Sequence, residues 1–342
     1  MYGLRIQRER AEEARHILQN MELIDKRFKF EVHKGEVTIP LKRLPREEEI
    51  ATIPNAEIVS FSPAPHPKPK TPFQEVYETL DLPPEKKAYL PKKWELIGDV
   101  LILPLPQQLF NFKKRIAEVY AEVLGAQTVV RLIEIEGKER KQRVEVLLGK
   151  RTETIHKENG ILYKMDTAHI MFSSGNIDER MRMAKVNADG EIVVDMFAGI
   201  GYFTLPIAVY ATPESVISYE VCPTAYKYLV ENITLNEVTS IVDPILGDCL
   251  EAEEHVADRV IMGYLHNTEK YLPKALRVLK NKGIIHYHEN CPNVLLPRRP
   301  VEHVIRAAKE QGKSAQILSF RRIKSYAPGV THVVLDVKIT PQ

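Results

Sequence analysis

Cysteine is scarce. Cys222, Cys249 and Cys291 are the only three among 342 residues, they stand far apart, and no two form a CxxC pair. That spacing argues against a disulfide framework and against a structural zinc site, so reduced thiols are expected. Long apolar runs are missing as well: no uncharged apolar stretch approaches the roughly 18 residues that span a bilayer. The opening segment, MYGLRIQRERAEEARHIL, spreads its charges through a helical pattern and lacks the basic patch and apolar block of a signal peptide. A cytoplasmic protein without membrane association is expected. Neither sign of charge dominates, since 48 Lys and Arg stand against 46 Asp and Glu. The balance neither demands nor excludes a nucleic-acid partner, because such a partner reads a local basic patch and not the total.

What remains is a chain longer than one ordinary domain, so two or three units are expected. SPAPHPKPKTP, residues 62–72, holds five prolines in eleven residues and reads as a stiff linker. Before it, a helical segment near residues 7–23 and the alternating stretches FKFEV and EVTIPL make a small α/β module over residues 1–68. Residues 69–166 mix short helices and strands, and close in a hairpin whose turn is Glu158-Asn159-Gly160. From 167 to 342 strand and helix alternate: EIVVDMF, YFTLPIAVY, SVISYE, PTAYKYLVENITLN, DPILGD, DRVIMGYL. The helix EKYLPKALRVLKN is expected to stop at Gly283, with the strand IIHYHE after it. The last two strands are separated by a Pro-Gly turn. This order predicts an α/β fold: a mostly parallel, Rossmann-like sheet covered on both faces, ending in an antiparallel hairpin.

In such a sheet the ligand sits beyond the carboxyl ends of the strands, where the strand order reverses. The first strand ends in DMFAGIGYF, residues 195–203. This is not GxGxxG, because Phe203 replaces the third glycine, and an acid precedes the turn. NAD is disfavoured. Asp195 suits a ligand carrying positive charge, and S-adenosylmethionine has both an ammonium and a sulfonium. The second strand ends at Glu220, which can accept from two ribose hydroxyls. The third ends at Gly247-Asp248-Cys249, where an acid can accept from an adenine amino group and small neighbours leave room for the ring.

VVDMFAGIGYF, YLVENITLN and ILGD, with FSSGNIDERMR upstream, resemble the archaeal and eukaryotic tRNA (guanine-N1) methyltransferase family and its relatives, the tRNA wybutosine-synthesising aminocarboxypropyltransferases. The resemblance extends over the whole chain and implies a Rossmann-like class I S-adenosylmethionine-dependent domain behind two smaller modules. Where the methyltransferase branch carries Asn-Leu-Pro or Asn-Pro-Pro after its fourth strand, this chain has Gly263-Tyr264-Leu265-His266-Asn267-Thr268. That loop, and HYHENCP at residues 286–292, look like the aminocarboxypropyl branch. The resemblance implies transfer of the 3-amino-3-carboxypropyl group to carbon 7 of 4-demethylwyosine at position 37 of tRNA(Phe), with release of methylthioadenosine. N1-methylation of guanine is the nearest alternative, and an inactive RNA-binding protein a more distant one.

The resemblance places Ser173 and Arg180 at the cofactor, and the chemistry agrees: the transferred arm ends in a carboxylate, which a guanidinium and a hydroxyl would hold. Glu179 and His266 are the candidate bases for the proton that a carbon nucleophile loses. Asn176 and Glu179 also have the spacing of a helix capping box. His286 and His288 face one side of a strand but lack a third ligand, so no metal is expected. KKR (113–115), KERKQR (138–143), RR (298–299) and RRIK (321–324) are candidate tRNA phosphate contacts. The N-terminal module would reach a more distant part of the tRNA, and a monomer is expected.

Overall fold

Alternation of apolar and polar residues in YGLRIQ makes the first strand, β1 (Tyr2–Gln7), which buries Leu4 and Ile6. The helix α1 (Ala11–Asn20) lays Ala14 and Leu18 on them. β2 (Glu31–His33), β3 (Glu36–Pro40), α2 (Glu47–Ala51) and β4 (Glu57–Ser60) complete an antiparallel sheet in the order β2-β3-β1-β4. This computed structural model describes residues 1–66, 70–136 and 141–342. Part of the proline-rich stretch and residues 138–140 of the basic run at 138–143 thus lie outside the described residues. The chain divides into two units, residues 1–71 and 72–342, each with its own apolar core.

The second unit begins with α3 (Pro72–Thr79) and α4 (Pro84–Lys87). β5 (Glu95–Ile97), β6 (Val100–Ile102), α5 (Lys113–Leu124), β7 (Thr128–Glu136) and β8 (Lys141–Leu148) follow. Its four strands form a sheet in chain order, and Leu101, Leu103 and Val129 pack with Tyr120 of α5. β9 (Glu153–Glu158) and β10 (Ile161–Asp166) make the hairpin read from the sequence, with Asn159 and Gly160 both at positive φ, +52° and +84°. A short helix, α6 (Ile177–Met183), leads into the large sheet.

That sheet takes in β11 (Ile192–Asp195), β12 (Ser215–Glu220), β13 (Val242–Leu246), β14 (Ala257–Met262), β15 (Leu279–Pro292), β16 (Lys313–Ala327) and β17 (Val330–Pro341). Between them run α7 (Thr204–Tyr210), α8 (Pro223–Leu235), α9 (Leu272–Val278) and α10 (Arg298–Glu310). The order is β13-β12-β11-β14-β15-β17-β16, parallel from β13 to β15 and antiparallel thereafter. It is the mostly parallel, Rossmann-like arrangement with a terminal hairpin. The order reverses between β11 and β14, which makes that crevice the ligand position.

Two details differ from the sequence reading. The hairpin β9–β10, which that reading attached to the middle region, is gripped by α8. Asn232 accepts from the Lys164 amide at 2.6 Å, Asn236 accepts from the Leu162 amide at 2.9 Å, and both carboxamides return a bond to the same residues' carbonyls. These are the two asparagines of VENITLN. The second difference concerns Gly283, which caps no helix. α9 ends at Val278 because Leu279 already pairs with Ala257, and Gly283 lies within β15. A Cβ there would stand 2.4 Å from the Asp258 carbonyl oxygen, so the glycine serves close approach of two strands.

Candidate functional site

Three strand ends open onto one cavity of about 520 Å³. Beyond β11 the chain turns through Gly199, whose φ of +59° suits glycine. Its amide donates to Glu220 Oε2 at 2.7 Å, while Glu220 Oε1 accepts from the Cys222 amide at 2.8 Å. Glu220 thus ties two strand ends together and also lines the cavity, where a carboxylate can take further donors. Asp248 is exposed at the opposite side and accepts from the Leu250 amide at 2.9 Å. Cys249 beside it is buried, and burial pushes its thiol up to about 12, so it stays protonated and presents a small, uncharged wall.

Asp195 behaves differently from the sequence expectation. It is fully buried and does not line the cavity. Its carboxylate turns inward, accepting from Thr204 Oγ1 at 2.9 Å and from the Phe197 amide at 3.2 Å. It therefore orders the turn that carries Gly199 and the start of α7, and does not face a ligand directly.

A second cavity of about 720 Å³ adjoins the first, sharing Met171, Gly263 and Tyr264 as a common wall. Trp94, Phe172, His266 and Tyr326 give it an aromatic lining, and Lys324 supplies a cation. The loop Gly263–Thr268 makes the partition. Tyr264 stacks on Phe197 with centroids 5.1 Å apart and planes 19° apart, while Tyr271 meets the same ring edge-on at 5.0 Å. Thr268 Oγ1 donates to the Tyr264 carbonyl at 2.5 Å, and Asn267 takes a φ of +54°, which bends the loop back onto itself. The His266 ring lies 5.7 Å from Tyr264, and its Nε2 is 3.4 Å from the Tyr326 hydroxyl.

The segment FSSGNIDERMR divides between cavity and interior. Ser173 lines the aromatic cavity, and the Lys324 ammonium donates to its hydroxyl. Arg180, expected at the cofactor, is buried behind this wall. Its guanidinium forms a two-pronged pair with Glu158 at 2.6 and 2.7 Å, lies 4.5 Å from the centre of the Phe172 ring and donates to the Ser173 carbonyl at 3.0 Å. Its geometry reaches the site through Ser173. Glu179 is likewise buried, held by Arg182 at 2.6 and 2.9 Å with His288 Nε2 3.8 Å away, and lines neither cavity. The capping box is not formed either, since Asn176 makes no side-chain cap bond. Of the two candidate bases, only His266 stands in a cavity.

His286 and His288 are structural in their surroundings. His286 Nδ1 lies 2.5 Å from Asp336 and Nε2 2.8 Å from Arg259; His288 Nδ1 lies 3.1 Å from His332. Among the described residues no group of three or more His, Cys, Asp or Glu is placed to hold a metal ion. No described helix is long and apolar enough to cross a membrane. Of the basic runs, Lys113 and Arg299 are engaged with Glu145 at 2.5 Å and Glu289 at 2.6 Å, whereas Arg321 and Arg322 are exposed on β16. The sequence reading did not single out Trp94 or Tyr326, and named Lys324 only within a basic run. Lys324 and Tyr326 come to the cavity of Ser173 on β16, the edge strand of the large sheet.

The chain is similar to several known proteins. Residues 154–318 match the TRM5/TYW2 methyltransferase domain and residues 76–152 the TYW2 N-terminal domain. The tRNA(Phe) (4-demethylwyosine(37)-C(7)) aminocarboxypropyltransferase of Pyrococcus horikoshii is 51% identical over 260 residues, 76% of this chain and 93% of that protein. The crystal structure of P. horikoshii TYW2 in complex with MeSAdo is similar with a TM-score of 0.72 and 48% identity, covering 79% of this chain and all of that one. Wild-type Trm5b from Pyrococcus abyssi matches 99% of both chains at 30% identity, with a TM-score of 0.77.

Proposed function

Because the chain belongs to the TRM5/TYW2 family of tRNA-modifying transferases, we infer that it transfers the 3-amino-3-carboxypropyl group of S-adenosylmethionine to carbon 7 of 4-demethylwyosine at position 37 of tRNA(Phe). The residues present fit that donor. Glu220 offers acceptors for two ribose hydroxyls, Asp248 an acceptor for an adenine amino group, and Cys249 an uncharged wall for the ring. Bound there, S-adenosylmethionine supplies a sulfonium whose departure as a neutral thioether, methylthioadenosine, drives the formation of a carbon–carbon bond.

The carrying observation is the shared wall of Met171, Gly263 and Tyr264 between a cavity suited to a nucleoside and a larger aromatic one suited to a planar base. All three carbons on the sulfonium are activated alike, so the carbon aligned with the nucleophile at about 3 to 3.5 Å is the one transferred. The partition would select it by limiting the directions open to the arm. Trp94 and Tyr326 provide stacking faces for the tricycle, and His266 takes the proton that carbon 7 releases. Asp195 and Arg180 act as positioning residues, the first for the Gly199 turn and the second for Ser173. The reading includes a monomer acting in the cytoplasm. Arg321 and Arg322, on the strand that carries Lys324, are phosphate contacts.

Product analysis tests the reading. Incubated with S-adenosylmethionine and tRNA(Phe) bearing 4-demethylwyosine, the protein is expected to accumulate methylthioadenosine in step with a base enlarged by the aminocarboxypropyl group. Accumulation of S-adenosylhomocysteine with a methylated base would overturn it in favour of the guanine methyltransferase branch.

A further inference from the structure

Leu162 and Lys164, two apart on β10, turn their backbone N–H and C=O groups toward α8. A strand edge without a neighbouring strand needs partners for both kinds of group. Two residues of strand advance about 6.6 to 6.8 Å and four residues of helix about 6 Å. Asparagines one helical turn apart can therefore each serve one residue of the edge, as Asn232 and Asn236 do. For Asn236 the role ends there, since its remaining bond, at 2.8 Å, returns to the Asn232 carbonyl of its own helix.

Asn232 spends its remaining bond elsewhere. Its side chain is fully buried, and the same Nδ2 that donates to the Lys164 carbonyl at 3.1 Å donates to the Ile200 carbonyl at 3.0 Å. Both amide protons and an oxygen lone pair are thus committed, to two segments outside its own helix. Ile200 lines the nucleoside cavity between Gly199 and Gly201, which take φ of +59° and +101°. Backbone amides serve the carbonyls on either side of it: Gly201 and Tyr202 donate to Ala198, and Leu205 donates to Gly201. The Ile200 carbonyl takes the asparagine. On the hairpin side, β9 ends in Glu158, which grips Arg180 and through it the Ser173 carbonyl. Asn232 therefore stands at the junction of the glycine turn and the hairpin.

We propose that Asn232 is a positioning residue for donor binding: its carboxamide ties the Ile200 carbonyl to β10 and so holds the glycine turn in its ligand-ready shape before the donor arrives. The proposal rests on the reading of this cavity as the site of S-adenosylmethionine and adds to it a residue that touches no ligand. A turn with two glycines has many conformations open to it. Glu220 fixes one end by accepting from the Gly199 amide, and Asn232 fixes the carbonyl that follows. Ordering completed in the free protein does not have to be supplied when the ligand binds, so the bond appears as affinity.

Two alanine variants of the full chain separate this role from that of a hairpin clamp. Asn232→Ala and Asn236→Ala each remove two bonds to β10, and only the first also frees the Ile200 carbonyl. In calorimetry Asn232→Ala should bind S-adenosylmethionine about five- to thirtyfold more weakly than Asn236→Ala, the worth of one or two net hydrogen bonds. Without ligand, hydrogen exchange of the amides from Gly199 to Phe203 should be faster in Asn232→Ala than in Asn236→Ala. Equal affinities, or a turn that exchanges alike in the two variants, overturn the proposal. Should Asn232→Ala fail to fold, the wild type decides. Coupling between two sites is reciprocal, so saturating S-adenosylmethionine should slow exchange of the Lys164 amide, which shares a carboxamide with the turn, more than that of the Leu162 amide, which does not. Equal slowing of the two amides overturns the proposal as well. A wild type that binds no S-adenosylmethionine would fail the donor reading, while exchange in the ligand-free variants would still show whether Asn232 holds the turn.

Discussion

Asp195 shows that a residue's place can be read from a sequence while the direction of its side chain cannot. An acid before a glycine turn is visible in DMFAGIG; that its oxygens meet Thr204 and the Phe197 amide depends on how α7 starts, which spacing alone does not reveal. Its burial has a measurable effect, since desolvation pushes the carboxyl up to about 6 from 3.8 against the bonds that favour its ionised form. Between those two values the folded chain keeps a proton that the unfolded chain has lost. This group's contribution to stability therefore falls as pH rises through that window and is constant above it, a cost on the order of 3 kcal/mol at neutral pH. Asp195→Asn should flatten that part of the stability curve, with denaturation midpoints at pH 4.5 and 7 drawing closer together than in the wild type. An unchanged difference would place the ionisation elsewhere. Glu220 is the contrasting case, because its carboxylate both closes the turn and faces the cavity. Glu220→Gln is expected to weaken S-adenosylmethionine about ten- to a hundredfold in calorimetry.

At the scale of elements the sequence was most legible where a single strand or helix decides its own pattern. The strand ends at Asp195, Glu220 and Asp248, the alternation that makes the large sheet and the Asn159-Gly160 hairpin turn could all be read locally. Contacts that join distant elements were not legible: Arg180 meets Glu158 from the hairpin, and Lys324 meets Ser173 only because β16 is the edge strand beyond β17. Gly283 illustrates the limit well. A glycine after a lysine-rich helical run reads as a C-terminal cap, yet α9 has already ended at Val278, and the missing side chain is required by the Asp258 carbonyl of the neighbouring strand. The two explanations predict different mutants. At a solvent-exposed cap, alanine would cost about 1 kcal/mol through strain at the end of a helix. Within β15 it collides with backbone that cannot swing aside, so Gly283→Ala should cost about 1 to 3 kcal/mol and lower the melting temperature by several degrees. Retention of wild-type stability would mean that β14 and β15 are farther apart than described.

The whole molecule poses the question of what each unit contributes. Both cavities are lined entirely by residues between Lys93 and Tyr326, and the two matched family domains fall within residues 76–318. The Pyrococcus horikoshii structure is covered completely by 79% of this chain, so a similar catalytic architecture exists without a counterpart to every part of it. The second unit has its own apolar cores, and the first buries Leu4, Leu18 and Ile39 in a separate one. Residues 72–342 should therefore fold alone and bind S-adenosylmethionine within about threefold of the full chain, a difference of under 1 kcal/mol. Affinity for tRNA should behave otherwise if the first unit touches it, as the family resemblance implies. Removing a Lys or Arg that neutralises one phosphate reduces the slope of log affinity against log salt by somewhat less than one. Filter binding of tRNA(Phe) at several salt concentrations, with the full chain and with residues 72–342, would therefore measure how many phosphates the first unit neutralises. A shallower slope and weaker binding in the shorter chain, with the cofactor affinity unchanged, is the expected result. Equal slopes would confine the tRNA footprint to the second unit, and loss of cofactor binding would mean that the first unit is needed to build the site.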